Sequence, residues 1–310
     1  MKTSIYFIVL STVMTLSAAY GGWEVEAVLG GYLNDVEMVS TSDGWAVGDG
    51  GRIFRYNGSS WRAVTSPTTQ DLNEIKMLSA TSGWAVGHHG TTIRYNGTRW
   101  VNVATPTDNH LYAVDFIDAA NGWAGGRNGV LLRYSGGSWS QVNSPTARHI
   151  QGIDMLAGNL GWLAGNTGVI YRYNGANWLS QASGTDYNLN DVAMYSSSLG
   201  FAVGAYETVC RYNGTRWSMV HQGSIVVGLT SVAILSPTNA WAVGGQGSAL
   251  HYDGSTWSYT LTPVTVTLNG VSFVDALNGW AVGNAGFVIR YRSGTAISPA
   301  SLGRVKALFN

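Results

Sequence analysis

Through most of the chain, apolar and polar residues alternate in short runs broken by glycine-rich turns, and no stretch carries a helical period. Taking residues 72–103, four such runs follow one another: "LNEIKML", "GWAVG", "TTIRY" and "RWVNV". Each is rich in β-branched and aromatic residues, which suit a pleated, half-buried surface. The turns between them carry hairpin chemistry, "GHHG" after the second run and "YNGT" after the third, so the runs are predicted to form consecutive antiparallel strands.

The same pattern returns at a fixed interval. "GWAVGDGGRIFRYNGSSW" from Gly44 is echoed from Gly83, Gly122, Gly161, Gly200, Ala240 and Gly279, at a spacing of 39 residues five times and 40 once. Four-stranded units repeated at this period predict an all-β, seven-bladed propeller of antiparallel blades over residues 22–292. The outermost run of six copies begins with a tryptophan: Trp61, Trp100, Trp139, Trp178, Trp217 and Trp257. The seventh copy has none, but Trp23 opens "WEVEAV" near the start of the chain. We therefore expect the N-terminal strand to complete the last blade, closing the ring and removing an edge that would otherwise recruit other strands.

All 13 tryptophans fall on two positions of the repeat, the second being Trp45, Trp84, Trp123, Trp162, Trp241 and Trp280, with Phe201 in the fifth copy. Recurrence at equivalent sites reads as packing between sheets, not as a private ligand cleft. A third position carries Arg55, Arg94, Arg133, Arg172, Arg211 and Arg290, with His251 in the sixth copy. These cations are expected to stack on the neighbouring rings and to bond backbone carbonyls. Cys210, the one cysteine, stands where other copies carry aliphatic or aromatic residues and is read as core, so no internal disulfide is available.

"WAVG" followed by "G-x-I-x-R-Y-N-G-x-x-W" resembles the repeat of the photosystem II stability/assembly factor-like propellers, within the broader class related to sialidase Asp-box (BNR) repeats. The resemblance covers residues 22–292. It implies a seven-bladed propeller with a non-enzymatic role and an arginine-rich contact surface. The acidic residue of a true Asp-box is replaced by Tyr56, Tyr95, Tyr134, Tyr173, Tyr212 and Tyr252, so kinship with sialidases is architectural.

Composition narrows the partners. Charged residues make up 11% of the 310 residues and the net charge is zero, which removes the general attraction expected of nucleic-acid or anionic-membrane binders. Residues 1–19 place Lys2 before an apolar run from Ile5 to Leu16 and small residues to Ala19, the pattern of a cleaved secretory signal, so a secreted or extracytoplasmic protein is expected. An uncleaved anchor is the alternative, disfavoured because a bilayer span needs about 20 apolar residues. No later segment is apolar enough to span. Residues 293–310 form a basic and apolar tail that reads as a disordered end, a packing segment or a sorting signal.

Hairpin alternation puts the turns between second and third strands, together with the blade-to-blade connections, on one face. Here the copies differ: Asp49, His88, His89, Arg127, Asn128, Tyr206, Glu207 and Gln246 in the turns, with Asp71, Asp108, His110, Arg148, His149, Asp186 and Tyr187 in the connections. Variable loops on a rigid scaffold are where recognition concentrates, so this face is the expected binding surface. The opposite face holds three N-x-[ST] sequons, at Asn57, Asn96 and Asn213, as possible glycosylation sites.

His88, His89 and His110 lack diagnostic ligand spacing, so no metal or other cofactor is expected. The innermost strands carry Asp35, Glu37, Glu74, Asp115, Asp154 and Asp191, either focusing a cation in the central channel or, as favoured, solvated at its wall. No paired carboxylates, Ser-His-Asp set, P-loop or H-E-x-x-H motif appears. The expectation is a monomeric, non-enzymatic scaffold that recognises a protein, with a lectin holding glycans in equivalent inter-blade pockets as the alternative and a sialidase-like hydrolase less favoured.

Overall fold

Each repeat folds into four strands because its tight turns return the chain antiparallel to itself and the period-2 alternation gives the resulting sheet two apolar faces to bury against its neighbours. The computed structural model describes residues 22–223 and 227–292; residues 1–19, expected to be a secretory signal, and the tail 293–310 lie outside them. In blade 1 the strands run, from the channel outward, Leu33–Ser40, Asp43–Gly48, Ile53–Tyr56 and Trp61–Ala63. The inner strands of blades 2 to 7 are Leu72–Ser79, Leu111–Asp118, Ile150–Ala157, Leu189–Ser196, Leu229–Ser236 and Leu268–Asp275. Seven four-stranded sheets result, and the inner strands of blades 7 and 1 pack together, so the ring is closed.

Closure runs through Trp23. The strand Trp23–Val28 pairs antiparallel with Phe287–Arg292 and becomes the outer strand of blade 7, with Trp23 opposite Tyr291.

Blade-to-blade packing repeats one aromatic theme. The second-strand indole of each blade inserts between a tyrosine and a tryptophan of the next: Trp45 lies 4.7 Å from Tyr95 and 5.5 Å from Trp100, and Trp123 lies 5.0 Å from Tyr173 and 5.3 Å from Trp178. Phe201 does the same against Tyr252 and Trp257. Twelve of the 13 tryptophans are buried; Trp178 alone is half-buried. Cys210 is buried too, and desolvation pushes its thiol up to about 12, which makes it inert.

The strand-borne arginines stack on the indoles, as expected, in five blades, from 4.4 Å for Arg290 on Trp280 to 5.7 Å for Arg94 on Trp84. Their polar partners differ from the expected carbonyls. Arg55 forms a bidentate pair with Asp43 at 2.8 and 3.0 Å, and Arg290 bonds Glu26 and the Tyr56 hydroxyl. Ladder pairing already occupies most strand carbonyls, so a side-chain carboxylate is the better acceptor. The tyrosines of four blades instead turn back on their own hairpins: Tyr95, Tyr173, Tyr212 and Tyr252 each donate to the carbonyl two residues on.

The channel carboxylates do more than line a solvated wall: all but Glu37 tie one blade to the next. Asp35 accepts the Ile75 amide at 2.9 Å, Glu74 the Val114 amide and Asp191 the Val232 amide at 2.8 Å, while Ser231 takes that of Val271. One level deeper, Asp115 accepts from Met155 at 2.7 Å, Asp154 from Met194 at 2.5 Å and Ser272 from Met38 at 3.0 Å. Each blade thus latches the inner strand of the next with one side chain. The two levels are complementary: blades that latch their neighbour from the deeper level carry Ala113, Gly152 or Gly270 at the upper one. A Cβ at Gly270 would stand 2.8 Å from the Asp35 Cα, so glycine there permits the neighbouring strand to approach. Inner strands run nearly parallel to their neighbours without forming a ladder, which leaves these amides to side chains.

Candidate functional site

The variable face is built on seven identical turns. In each, the second residue adopts a left-handed backbone at φ between 52° and 67°: Gly50, His89, Asn128, Thr167, Tyr206, Gln246 and Ala285. In blades 1 to 4 its amide is caught by a side chain in the following blade connection. The Gly50 amide donates to Asp71 at 2.7 Å, His89 to His110 Nδ1 at 3.0 Å, Asn128 to His149 Nδ1 at 2.9 Å and Thr167 to Asn188 at 2.8 Å. Turn and connection are therefore strapped together at a separation of 21 residues, and the residue in the strap is free to vary provided it accepts.

The third residue of the turn is glycine in six blades and Glu207 in the fifth, at φ 52°. At the glycines a Cβ would collide with the following connection, as at Gly51, where it would lie 2.1 Å from the Thr68 carbonyl oxygen. The one repeat that is 40 residues long is the one that carries Glu207, and there the connection bonds differently: Glu207 donates its amide to the Val227 carbonyl, and Gly223 donates to Tyr206. Glu207 is fully buried, accepting from the Ser248 hydroxyl at 3.0 Å and from Tyr259. It does not belong to the recognition surface predicted from sequence. Its pull on the proton of Tyr259 pushes that phenol up to about 12.

The remaining predicted residues divide. His89, Arg127, Asn128, Arg148, Tyr206 and Gln246 are exposed, and His88, His110 and His149 are half-buried among them. Blades 2 to 4 gather most of these: the His88 and His110 rings stand 4.2 Å apart, His89 and His110 5.0 Å, and Tyr112 bridges toward His149 at 6.0 Å. Tyr206 meets Tyr187 at 4.7 Å on blade 5. Gln246 stands apart, and Asp49 is turned inward, accepting from Asn34 at 2.9 Å.

Electrostatics favour an uncharged imidazole at the centre of the cluster. Desolvation, with the adjoining His88 and His89, holds the His110 ring below the ordinary histidine value, while its Nδ1 must remain unprotonated to accept the His89 amide. His88 Nδ1 faces Asp71 at 3.2 Å. Among the described residues no group of three or more His, Cys, Asp or Glu side chains is arranged to hold a metal.

At the hub of this face the channel opens into a cavity of about 280 Å3, bordered by Asn34, Asp35, Asn73, Glu74, Tyr112 and Asp191. Burial in the narrow channel, reinforced by mutual repulsion, raises the Asp35 and Glu74 carboxyls well above their usual values. Desolvation likewise lifts Glu37, Asp154 to about 7 and Asp191 to about 6. Lys76, 3.1 Å from Asp115, is held in its charged form by that carboxylate and supplies the one cation at this depth among the described residues. The channel therefore favours the protonated form of these acids relative to water.

Sequence reasoning missed Glu26 and Gln181. Glu26 accepts from the indole nitrogens of Trp280 and Trp61 at 2.9 and 3.0 Å, and Gln181 from those of Trp162 and Trp217, both at 3.0 Å. The signal was present: three residues after the tryptophan opening the outer strand, other copies carry Val64, Val103, Val142, Val220 and Thr260.

No family model and no curated protein matches the sequence. Solved structures do. One described as "YCF48 bound to D1 peptide" superposes with a TM-score of 0.73 at 16% identity, covering 89% of this chain and 98% of that one. YCF48 from Cyanidioschyzon merolae gives 0.71 at 14% identity over 87% and 99%. The WD40 propeller domain of Doa1 gives 0.75 at 11% over 89% and 99%. The assembly-factor resemblance noted in the repeat thus returns in the coordinates, and at these identities the likeness is one of architecture: the chain is a seven-bladed β-propeller of the same fold as YCF48 and the WD40 domains.

Proposed function

We propose that the protein is a non-catalytic scaffold that binds a partner protein through the face carrying the strapped turns, over blades 2 to 5. The observation that carries this reading is the asymmetry of the face. One scaffold geometry is repeated seven times, yet His88, His89, His110, Arg127, Arg148 and His149 gather on one side, with the Tyr187–Tyr206 pair at its edge. A lectin would use its repeats equivalently; a lopsided patch suits a single macromolecular contact. The peptide held by the YCF48 propeller supports a binding role for this architecture.

Capture from the native host with the mature protein tests the reading. A His88→Ala/Arg127→Ala/Tyr206→Ala variant should lose a partner that an Arg99→Ala/Arg216→Ala variant, altered on the opposite face, still retains. Equal recovery by both would refute the assigned face. We also propose export followed by cleavage after Ala19, which predicts Tyr20 as the first residue of protein isolated from the extracytoplasmic fraction. Asn57, Asn96 and Asn213 occupy exposed hairpin turns, a setting suited to glycan attachment, and intact mass before and after glycosidase treatment checks their occupancy.

A further inference from the structure

We propose that the cleft between blades 3 and 4 is a binding site for a carboxylate, separate from the loop face. The reasoning begins with what the chain does at an equivalent junction. Between blades 7 and 1, two indole N–H groups, Arg290 and the Tyr56 hydroxyl converge on Glu26, one oxygen taking Trp280 and Trp61 at 2.9 and 3.0 Å and the other taking Arg290 at 3.1 Å and Tyr56 at 3.3 Å. Between blades 4 and 5 the amide oxygen of Gln181 fills the same place for two indoles.

Between blades 3 and 4 the corresponding side chains are Trp123, Trp178, Arg133 and Tyr173, the last already donating to the Gly175 carbonyl, but the acceptor position is Val142. Three consequences follow. The Trp178 indole nitrogen is buried without a hydrogen-bond partner. Arg133 lies over Trp123 at 4.7 Å, and among the described residues no carboxylate is within ion-pairing distance of it. A cavity of about 450 Å3 opens, lined by Trp123, Arg133, Val142, Asn143, Tyr173 and Trp178. A buried donor with no acceptor is unfavourable, so a ligand whose oxygen reaches it gains from the pairing.

The other valine-bearing junctions also hold unpartnered indole nitrogens, but each lacks one part of the set. Arg55 is already neutralised by Asp43. Phe116 stacks on Trp84 at 4.7 Å and meets Trp139 at 5.6 Å, filling the space between blades 2 and 3. Phe201 removes one indole between blades 5 and 6, where Arg211, Trp257 and a smaller cavity of about 260 Å3 remain. Among the described residues, the junction of blades 3 and 4 combines an unpaired guanidinium, both indoles and an opening.

Guanidinium and indole groups are pure donors, and the charge asks for an anion; a planar group with two oxygens reproduces what Glu26 offers. The remaining volume accepts one sugar ring or one residue of a chain, with the Asn143 and Asn177 amides at the border. The shared chemistry is the carboxylate, carried by an acidic sugar or by a free chain terminus.

Calorimetric titration at pH 7 distinguishes the two sources, with D-glucuronate against D-glucose and an acetylated tripeptide with a free against an amidated C-terminus. One charged probe should bind, and its neutral counterpart should bind at least roughly tenfold more weakly, the loss expected of a charge-assisted bond. Arg133→Gln should weaken binding by a similar factor. Val142→Glu, which provides an internal carboxylate in the manner of Glu26, should abolish binding and raise the unfolding temperature. If that variant fails to fold, Val142→Gln, the counterpart of Gln181, serves in its place. Equal binding of charged and neutral probes, no binding of either pair, or undiminished binding by the Val142 variant would overturn the proposal. The His88/Arg127/Tyr206 variant leaves this site untouched, so its failure and failure of the loop-face reading are separable.

Discussion

Single residues decide how the tryptophan masonry is finished. Glu26 satisfies four donors at the seam where the ring closes, and Arg290, 9% exposed, depends on it for its charge partner. Glu26→Val is therefore expected to cost about 3 kcal/mol or more, because it strands a buried guanidinium. Glu26→Gln should cost clearly less, since an amide oxygen takes two indoles at Gln181; urea unfolding of the two variants side by side checks the ordering. Glu207 shows the reverse economy. A left-handed backbone unsuited to glutamate is tolerated because its carboxylate is fully used by Ser248 and Tyr259 and because the connection opposite is rebuilt. The sequence marked the position, since the six other copies carry glycine there and its repeat is the 40-residue one, but burial of a loop residue depends on what crosses over it.

At the level of the strand, the closing segment Trp23–Val28 carries more weight than its six residues suggest. Without it, blade 7 presents an unpaired edge, and Trp241 loses the partner it meets edge-on at 5.6 Å. A chain beginning at residue 31 should lose its sharp unfolding transition and self-associate, seen by calorimetry and gel filtration. Trp23→Ala in the full chain should keep the ring but cost about 3–5 kcal/mol for the emptied space. The inner strands add a second device, one latch per blade at one of two levels. That this was missed has a plain cause: the acids were legible, but the amides they serve lie in the next blade, about 40 residues away.

Over the whole molecule, the latches collect acidic groups in one channel, and a pH dependence follows. Desolvation raises Asp35, Glu37, Glu74, Asp154 and Asp191, so the folded chain keeps protons that the unfolded chain releases above about pH 4. The stability these protons confer is fully present at low pH and is lost as pH rises through about 6 for Asp191 and about 7 for Asp154. His110, His221 and His251, lowered by burial, act in the opposite sense below about pH 6.5, and more weakly because their rings are partly solvated. Unfolding temperature should therefore fall between pH 5.5 and 8. Asp154→Asn, which keeps an acceptor for Met194 and cannot ionise, should flatten that fall, stabilising the protein most at pH 8, less at pH 5.5 and least near pH 4.

What the sequence determined by itself was everything that recurs. The period, the four runs, the two tryptophan positions and the closing role of Trp23 could be read because repetition turns a weak local signal into a strong one. Which face varies was legible too, since turn chemistry fixes where each hairpin ends. Tertiary structure decided what happens between blades: that Asp43 and Glu26, not carbonyls, answer the arginines, that channel acids are latches, that Glu207 is buried, and that Val142 leaves two indoles and a guanidinium facing a cleft. Those outcomes turn on distances between residues far apart in the chain. A donor's need for an acceptor is written locally, but whether an acceptor arrives is settled only when the neighbouring blade is in place.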